Sequence, residues 1–235
     1  MHHVLMDQWS QGSSPLHVRD PRSKILALLA FLIVLATTAP DAFLTLAIDA
    51  AVLVAGILIA GLPPWSLLLR AMAVLPFSLT FGLISWLAGD RLRAVGLLEK
   101  SYVSTVAVLL VVGTTPLPLL LSGLEALGVP RLLVLVAQFL YRYLFVVSEQ
   151  AQHLRLAAAC RRGTERRRRL GFRAAAGALA VLFARSYYRA EGIHRAMMAR
   201  AFSGKFVLLR RLQFGVADGL FTLTIAAFLI LVRIQ

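Results

Sequence analysis

The chain has 235 residues, of which 59% are hydrophobic, and its mean hydropathy is +0.78. A soluble core of this length cannot absorb so much apolar surface, so the composition excludes an ordinary soluble domain and requires a bilayer. The formal charge is +14, and 15 of the 25 basic residues lie between Arg155 and Arg211, where the only acidic residues are Glu165 and Glu191. We therefore expect a basic, water-facing module inside an integral membrane protein.

Five apolar stretches approach the roughly 20 residues that a helix needs to cross a bilayer. They are residues 25–39, 42–62, 71–89, 102–121 and 214–232. The first stretch is short and Asp41 follows it closely, so we expect the first two stretches to form a tight hairpin. The polar residues before them lack the charged start and the cleavage site of a signal peptide, and we expect the first stretch to remain in the mature protein.

The positions of lysine and arginine in the short loops predict the orientation. Arg19, Arg22 and Lys24 favour a cytoplasmic N-terminus, as in the inner membrane of a bacterium, and four crossings then return the chain to the cytoplasm. The loop at residues 90–100, which carries both basic and acidic side chains, falls outside. The predicted organisation is a cytoplasmic segment (1–24), four transmembrane helices (25–121), a cytoplasmic helical module (122–213) and a last transmembrane helix (214–235).

The module between the fourth and fifth crossings is predicted to consist of long helices. Residues 132–147 favour a helix that enters the cytoplasm along the membrane boundary, and a second helix is expected at about residues 174–201. A continuous helix would place Arg155, Arg162, Arg166, Arg169 and Arg173 along one face, although Gly163 and Gly171 make a break equally plausible. The second helix is amphipathic as well. The predicted fold class is an all-α integral membrane protein with about five transmembrane helices and long amphipathic cytoplasmic helices.

Two proline-containing motifs are candidate structural or interface sites. Asp20-Pro21-Arg22 precedes the first apolar stretch, where proline suits the first helical turn and an acid complements the helix N-terminus. A good helix cap is the simpler interpretation. Thr115-Pro116 and Pro130 bracket a short helix that Gly128 can end, which predicts an elbow at the membrane surface.

Arginines form the remaining candidate sites. Arg142 lies between Tyr141 and Tyr143, where it is either an interaction residue or an interface anchor that keeps its charge in water. Two further motifs have arginine among small residues, Cys160-Arg161-Arg162-Gly163 and Arg195-Ala196-Met197-Met198-Ala199-Arg200-Ala201. Small neighbours let a partner approach, and a guanidinium makes bidentate contacts to carboxylates, so both motifs suit docking into an acidic groove. The alternative is a basic surface that binds anionic lipid headgroups.

The order of these motifs resembles the transmembrane coupling proteins of energy-coupling factor transporters, the CbiQ/EcfT family. The motifs that carry the resemblance are Asp20-Pro21-Arg22, Thr115-Pro116, Leu127-Gly128-Val129-Pro130, Tyr141-Arg142-Tyr143 and Arg195 to Arg200. The similarity extends from about Asp20 to the C-terminus, and the elbow and the Tyr-Arg-Tyr segment are most similar to the cobalt-type branch. No single motif is specific, but their joint order is.

The resemblance implies a complex with two ABC-type ATPases, a substrate-binding membrane subunit and, in the cobalt branch, a small accessory membrane protein. It also implies two Ala-Arg-Gly-like coupling motifs on cytoplasmic helices that rest in grooves of the ATPases. The second motif falls on Ala199-Arg200-Ala201, where alanine replaces the usual glycine. The first falls on Arg161-Arg162-Gly163, with Arg162 preferred because Gly163 follows it. Cobalt is the implied substrate, and nickel or a vitamin such as biotin remains an alternative.

The sequence lacks the residues that ATP hydrolysis and metal binding require. No glycine-rich phosphate loop is present, so we expect ATP hydrolysis in a partner and no enzymatic activity here. The histidines are scattered and Cys160 is the single cysteine, so we expect no metal cage and no cofactor. Asp49 lies deep in a predicted span, where a proton or cation role competes with a polar contact to another helix or subunit.

Two functions of other classes compete with the coupling role. A basic membrane anchor could bind anionic lipid or nucleic acid through residues 161–173, but Phe172 is the single aromatic residue there, which disfavours base stacking. A self-sufficient transporter is disfavoured because no internal repeat or broken-helix pair is evident. Membrane lipid is therefore an expected partner, and nucleic acid is not.

Overall fold

The computed structural model describes residues 9–10, 12, 14–39, 43–162, 168–204 and 215–234. The described residues form two compact units. One unit consists of the described residues within 1–129 and 210–235, and the other of those within 130–209. The described secondary structure consists of helices, which confirms the all-α prediction.

The larger unit, called here the membrane unit, contains eight of the described α-helices. These are α1 (Pro15–Val18), α2 (Pro21–Thr37), α3 (Phe43–Ala60), α4 (Pro64–Ala71), α5 (Leu75–Leu87), α6 (Arg91–Gly113), α7 (Leu117–Ala126) and α10 (Val216–Ile234), with a short 3₁₀ helix, Met72–Val74, between α4 and α5. Helix α2 packs on α6, α7 and α10, and α6 packs on α3, α4 and α5. The buried core is apolar and is centred on Leu35, Ile57, Leu67 and Ala71.

The smaller unit, called here the arginine unit, contains two 32-residue helices, α8 (Arg131–Arg162) and α9 (Arg168–Ala199), which pack against each other. Gly171 lies inside α9, so a helix break at this glycine, which the sequence allowed, does not occur. Gly163, the other possible break, lies outside the described residues. At ~1.5 Å per residue, each helix is about 48 Å long.

Three described helical stretches are long and apolar enough to cross a membrane: Pro64–Leu87, Arg91–Gly113 and Arg131–Arg161. Shorter apolar helices occur at Thr45–Ala60, Leu117–Ala126 and Val216–Phe228. These helices identify the chain as an integral membrane protein. The third long stretch differs from the prediction, which placed residues 132–147 along the membrane boundary.

Two bounds differ from the predicted spans for local reasons. The stretch predicted at 102–121 begins a helix at Arg91, because the Asp90 side chain accepts a hydrogen bond from the backbone N–H of Arg93 and caps it. The same helix ends at Gly113, and α7 begins after Pro116, which lacks an N–H group. Hydropathy alone did not predict either bound, because it contains no information about a capping side chain or about a proline that lacks an N–H donor.

Candidate functional site

The Asp20-Pro21-Arg22 motif starts helix α2. Asp20 has an extended backbone, Pro21 is the first helical residue, and the Asp20 Oδ1 atom accepts a 2.9 Å hydrogen bond from the Arg22 N–H group. The predicted cap is therefore confirmed. The main-chain carbonyl of Asp20 also accepts a 2.7 Å bond from the hydroxyl of Ser23, so the first turn of the helix is held on both sides.

Lys24 connects this motif to the Thr115-Pro116 motif, 91 residues away in the sequence. Its Nζ atom donates a 2.8 Å hydrogen bond to Thr115 Oγ1 and a 3.1 Å bond to the carbonyl oxygen of Thr114. The lysine is only 3% exposed, and both threonines are equally buried. Both acceptors, the carbonyl of Thr114 and the hydroxyl of Thr115, lie in the break between α6 and α7. At such a break, the end of a helix leaves backbone groups without partners inside the helix. A buried ammonium thus stabilises a helix break.

Asp218 brings the last helix to the same place. Its Oδ1 atom accepts a 3.1 Å bond from the Asp20 N–H group, and its Oδ2 atom accepts a 3.1 Å bond from the Gly215 N–H group. The guanidinium of Arg19 is 4.0 Å from Oδ1. Asp218 is 7% exposed and bonds two backbone donors from segments about 200 residues apart.

We call this cluster the polar junction, and it comprises Asp20, Ser23, Lys24, Thr114, Thr115 and Asp218. It holds together the beginnings of α2 and α10 and the break between α6 and α7. Helix α7 is drawn close as well, since a Cβ atom on Gly123 would lie 3.1 Å from Cβ of Pro21. Buried polar groups with partners rigidify a structure and specify a single arrangement of its elements. The junction therefore fixes the relative positions of these helices.

From the sequence, Lys24 contributed only to the predicted orientation, and neither Thr114 nor Ser23 was a candidate residue. One signal was available, because residues four apart share a helix face and Asp20 and Lys24 therefore project the same way. Nothing in the sequence indicated that Lys24 bonds Thr114 and Thr115, which lie 90 and 91 residues further along the chain.

Asp49 lies on α3 with its side chain fully buried. Neither carboxylate oxygen has a hydrogen-bond partner among the described residues. Among those residues no group of three histidine, cysteine, aspartate or glutamate side chains is placed to hold a metal ion. Among the described residues, Asp49 therefore makes no side-chain hydrogen bond to another helix of the chain. The proton or cation role and a contact with another subunit stay predictions.

In the arginine unit, Pro130 immediately precedes the first helix, and the Tyr-Arg-Tyr segment lies within it. The Pro130 carbonyl accepts the first helical bonds of α8, from the N–H groups of Leu133 and Val134. Arg142 is exposed and its guanidinium lies 5.9 Å from the ring centroid of Tyr143, while Tyr141 makes an edge-on contact with Phe145. This arrangement fits either the anchor or the interaction role predicted for Arg142.

The first predicted coupling motif lies at the end of α8. Arg161 is exposed, as is Cys160 before it, and Arg162 is the last residue of the helix. Gly163 lies outside the described residues. The structure therefore leaves the choice between Arg161 and Arg162 as a prediction, although both arginines belong to the same helix end.

The second predicted coupling motif is the end of α9. The helix ends at Ala199, and Ala201 has a backbone φ of 52°, in the left-handed region. The N–H of Phe202 bonds the carbonyl of Met197 at 3.0 Å, and the N–H of Ala201 bonds the carbonyl of Met198 at 3.0 Å. These two bonds define a Schellman turn, which satisfies carbonyls that a helix end leaves free.

Arg200 is the residue between the helix and the left-handed position, and it is exposed. A cation is favoured at a helix C-terminus because the helix dipole is negative there. Arg195, one and a half turns earlier, instead donates a hydrogen bond to Glu191 on its own helix. Among the described residues, no ion pair involves Arg200. The turn therefore presents a cation that is available to a partner.

The same turn occurs at three other helix ends, and a glycine occupies the left-handed position in each. These are Gly61, Gly89 and Gly128, with φ values of 66°, 90° and 103°. Gly128 confirms the predicted end of the short helix in the elbow. Ala201 is the non-glycine residue at positive φ among the described residues. The left-handed backbone at position 201 therefore gives a physical reason why glycine is usual at this position in the coupling motif that the sequence resembles.

An α-helical membrane unit with a buried polar junction, and a pair of long helices with exposed arginines, define an all-α integral membrane protein. The sequence pattern of the CbiQ family, described as cobalt transport protein, matches residues 12–209, and the chain belongs to this family.

Two curated relatives match shorter regions. The cobalt transport protein CbiQ of Rhodobacter capsulatus is 35% identical over 96 residues, which cover 41% of this chain and 39% of the relative. An uncharacterized protein of Methanocaldococcus jannaschii, MJ1089, is 30% identical over 100 residues, which cover 43% of this chain and 37% of the relative. The chain thus spans about two fifths of the length of the curated relatives it matches.

Proposed function

We propose that this protein is the transmembrane coupling subunit of an energy-coupling factor importer for cobalt ions. In this role it is not an enzyme. Two ABC-type ATPases supply the energy, a separate membrane subunit binds the substrate, and a small accessory membrane protein joins them. The name of the family and of its Rhodobacter capsulatus member favours cobalt over nickel or a vitamin.

The observation that carries the proposal is the geometry of Arg200. Arg200 is exposed on a turn that two hydrogen bonds close. Among the described residues, its guanidinium forms no ion pair. A fixed backbone reduces the entropy that a side chain loses on binding. An arginine fork pairs with carboxylates in a bidentate geometry, so the turn suits an acidic groove of an ATPase.

Transmission of motion follows from the stiffness of the long helices. ATP-driven closure of the two ATPases moves the end of α9 through Arg200 and the end of α8 through Arg161 or Arg162. A 32-residue helix carries a displacement of one end along its whole length, because its backbone bonds hold it as a rod. The substrate-binding subunit then tilts or is released. In this mechanism both arginine motifs face the cytoplasm, and the membrane unit lies in the inner membrane of a bacterium.

The test is a charge reversal in the complete transporter. Arg200→Glu is expected to abolish cobalt uptake by cells and to reduce recovery of the ATPases with the tagged subunit at least ~30-fold, as loss of a central charged contact does. The matched control is Arg189→Glu, an exposed arginine on the same helix outside the motif. Uptake is expected to survive in the control.

Two results would contradict the coupling role. One is full uptake and full ATPase recovery in Arg200→Glu. The other is equal loss in Arg189→Glu, which would indicate a general requirement for basic charge, as expected of a membrane anchor. Uptake of nickel or biotin instead of cobalt by the unaltered complex would keep the coupling role and correct the substrate.

A further inference from the structure

One face of α3 packs into the apolar core of the membrane unit. Its buried positions follow one another every three or four residues, which is the spacing of a single helix face. They are Leu46, Asp49, Leu53, Ile57 and Ala60. Asp49 is the acidic member of this set, and with 0% exposure it is buried as deeply as its apolar neighbours.

Helix α6 covers this face. Gly56 lies two turns after Asp49 on the same side of α3, and a Cβ atom on Gly56 would lie 3.0 Å from the side chain of Leu110 on α6. The residues of α6 that belong to the buried core beside α3 are Val103, Val106 and Ala107. Asp49 thus lies at a contact between two helices whose other buried residues are apolar.

Among the described residues, no group neutralises Asp49. Neither of its carboxylate oxygens has a hydrogen-bond partner, and it forms no ion pair. The cations of α2 lie in its first turn, at the polar junction, and are Arg22 and Lys24.

The helices that pack on α3 carry titratable residues, but these contact other groups. The residues are His17 of α1, Arg70 of α4, and Arg91, Arg93, Glu99, Lys100 and Tyr102 of α6. Glu99 is an acid and cannot supply a positive charge. The described contacts of the others are with Ser14, Trp9, Trp86, Asp90, Thr38 and Leu68.

An ionised carboxyl is too costly in this place. Transfer of an unpaired carboxylate from water into an apolar interior costs more than the stability of a whole domain, so such a group takes up a proton instead. The neutral carboxyl keeps a polar O–H group, but its burial costs far less. We propose that Asp49 is a proton-binding site of the membrane unit, which is occupied while α3 packs on α6 and releases its proton when water reaches the carboxyl.

The geometry argues against other ligands of this acid. A metal ion such as Ca²⁺ takes about six to eight oxygen ligands, whereas the carbonyls around Asp49 are bonded within an unbroken helix. A basic side chain of a partner subunit cannot reach a carboxyl that is 0% exposed. A proton needs neither further ligands nor a path for a side chain.

The bound proton connects the packing of α3 to pH. The packed form holds a proton that the hydrated form releases, because an exposed aspartate ionises at about pH 4. Above that pH, each further unit favours the hydrated form by up to a factor of ten, as linkage requires for one proton. Low pH therefore favours the packed form. The residues involved all belong to the membrane unit, so the inference does not depend on the coupling role.

Infrared absorption of the purified full-length chain in detergent tests whether the proton is present. The C=O stretch of a protonated carboxyl is resolved from the absorption of carboxylates, and it shifts when deuterium replaces the proton. At neutral pH, we expect the spectrum of the wild type minus that of Asp49→Asn to show one such band per chain. Asparagine has nearly the shape of a neutral aspartic acid, so this variant is expected to keep the fold.

Two controls assign the band. Asp90→Asn removes a half-exposed carboxylate that pairs with Arg93 at 3.1 Å, and it is expected to leave the band unchanged. Aspartate with a heavy carbon isotope in its side-chain carboxyl is expected to shift the band of the wild type, which assigns the band to aspartate even if Asp49→Asn fails to fold. The proposal is overturned if the wild type lacks the band at neutral pH, if the isotope leaves it unshifted, or if Asp49→Asn loses carboxylate absorption as Asp90→Asn does.

Hydrogen exchange on peptides that cover α3 tests the release of the proton. Amides inside a helix exchange when the helix opens, and the ratio of the wild-type rate to that of Asp49→Asn removes the intrinsic effect of pH on exchange. Between about pH 5 and 8, this ratio is expected to rise by up to tenfold per pH unit. A ratio that does not change with pH would overturn the proposed release.

Discussion

The Schellman turn at the end of α9 allows a prediction whose sign can be worked out. An L-residue in the left-handed region costs about 1–2 kcal/mol relative to its preferred conformations, and Ala201 has a φ of 52°. Glycine removes this cost, but it also adds about 0.4–1 kcal/mol of conformational freedom to the unfolded chain. Ala201→Gly is therefore expected to stabilise the turn by about 0.5–1 kcal/mol.

The assay is hydrogen exchange at the amides of the turn. The N–H groups of Ala201 and Phe202 are the donors of its two bonds, so each exchanges only when the turn opens. A change of 1 kcal/mol corresponds to a factor of about five in an equilibrium constant. In Ala201→Gly these amides are expected to exchange roughly two- to fivefold more slowly, measured on peptides that cover residues 197–203.

The same substitution two residues earlier is the control. Ala199 is the last helical residue, and glycine within a helix costs roughly 0.5–1 kcal/mol relative to alanine. Ala199→Gly is therefore expected to speed exchange at the same amides. Ala201→Val is expected to speed it further, because a β-branched residue is strained at positive φ. Exchange that is unchanged or faster in Ala201→Gly, or that moves in the same direction in both glycine variants, would refute the reasoning.

Four further substitutions test the membrane unit, each followed by the thermal midpoint of the purified chain in detergent. Lys24→Met is expected to lower the free energy of unfolding by about 2–4 kcal/mol, because the buried acceptors in the helix break lose a charged donor. Thr115→Val removes only one hydrogen bond and is expected to lower it by about 1–2 kcal/mol. Equal midpoints in these two variants would contradict this role of the lysine. Asp49→Leu is expected to raise the midpoint by removing a buried carboxyl without a described partner, and a lower midpoint would reveal a partner. Gly123→Ala is expected to cost about 1–3 kcal/mol, because its Cβ lies 3.1 Å from that of Pro21, and an unchanged midpoint would show that α7 can shift freely.

Local chemistry in the sequence was enough to predict several features that the structure contains. Composition predicted a helical membrane protein, since the apolar surface exceeds what a soluble core can bury. Asp20 and Pro21 predicted the start of α2, and Gly128 the end of the short helix in the elbow. Each of these depends on residues within one or two turns, so the signal lies in adjacent sequence.

The tertiary structure decided what the buried charges do. Lys24 lies next to an apolar stretch in the sequence, and its partners became known only when α6 and α7 were placed beside α2. Asp218 bonds Asp20 across nearly the whole chain, while Asp49 has no hydrogen-bond partner among the described residues. Hydropathy records how apolar a segment is, but a hydrogen bond depends on which atoms meet. For residues 90 to 200 positions apart, only the packing of the helices determines which atoms meet.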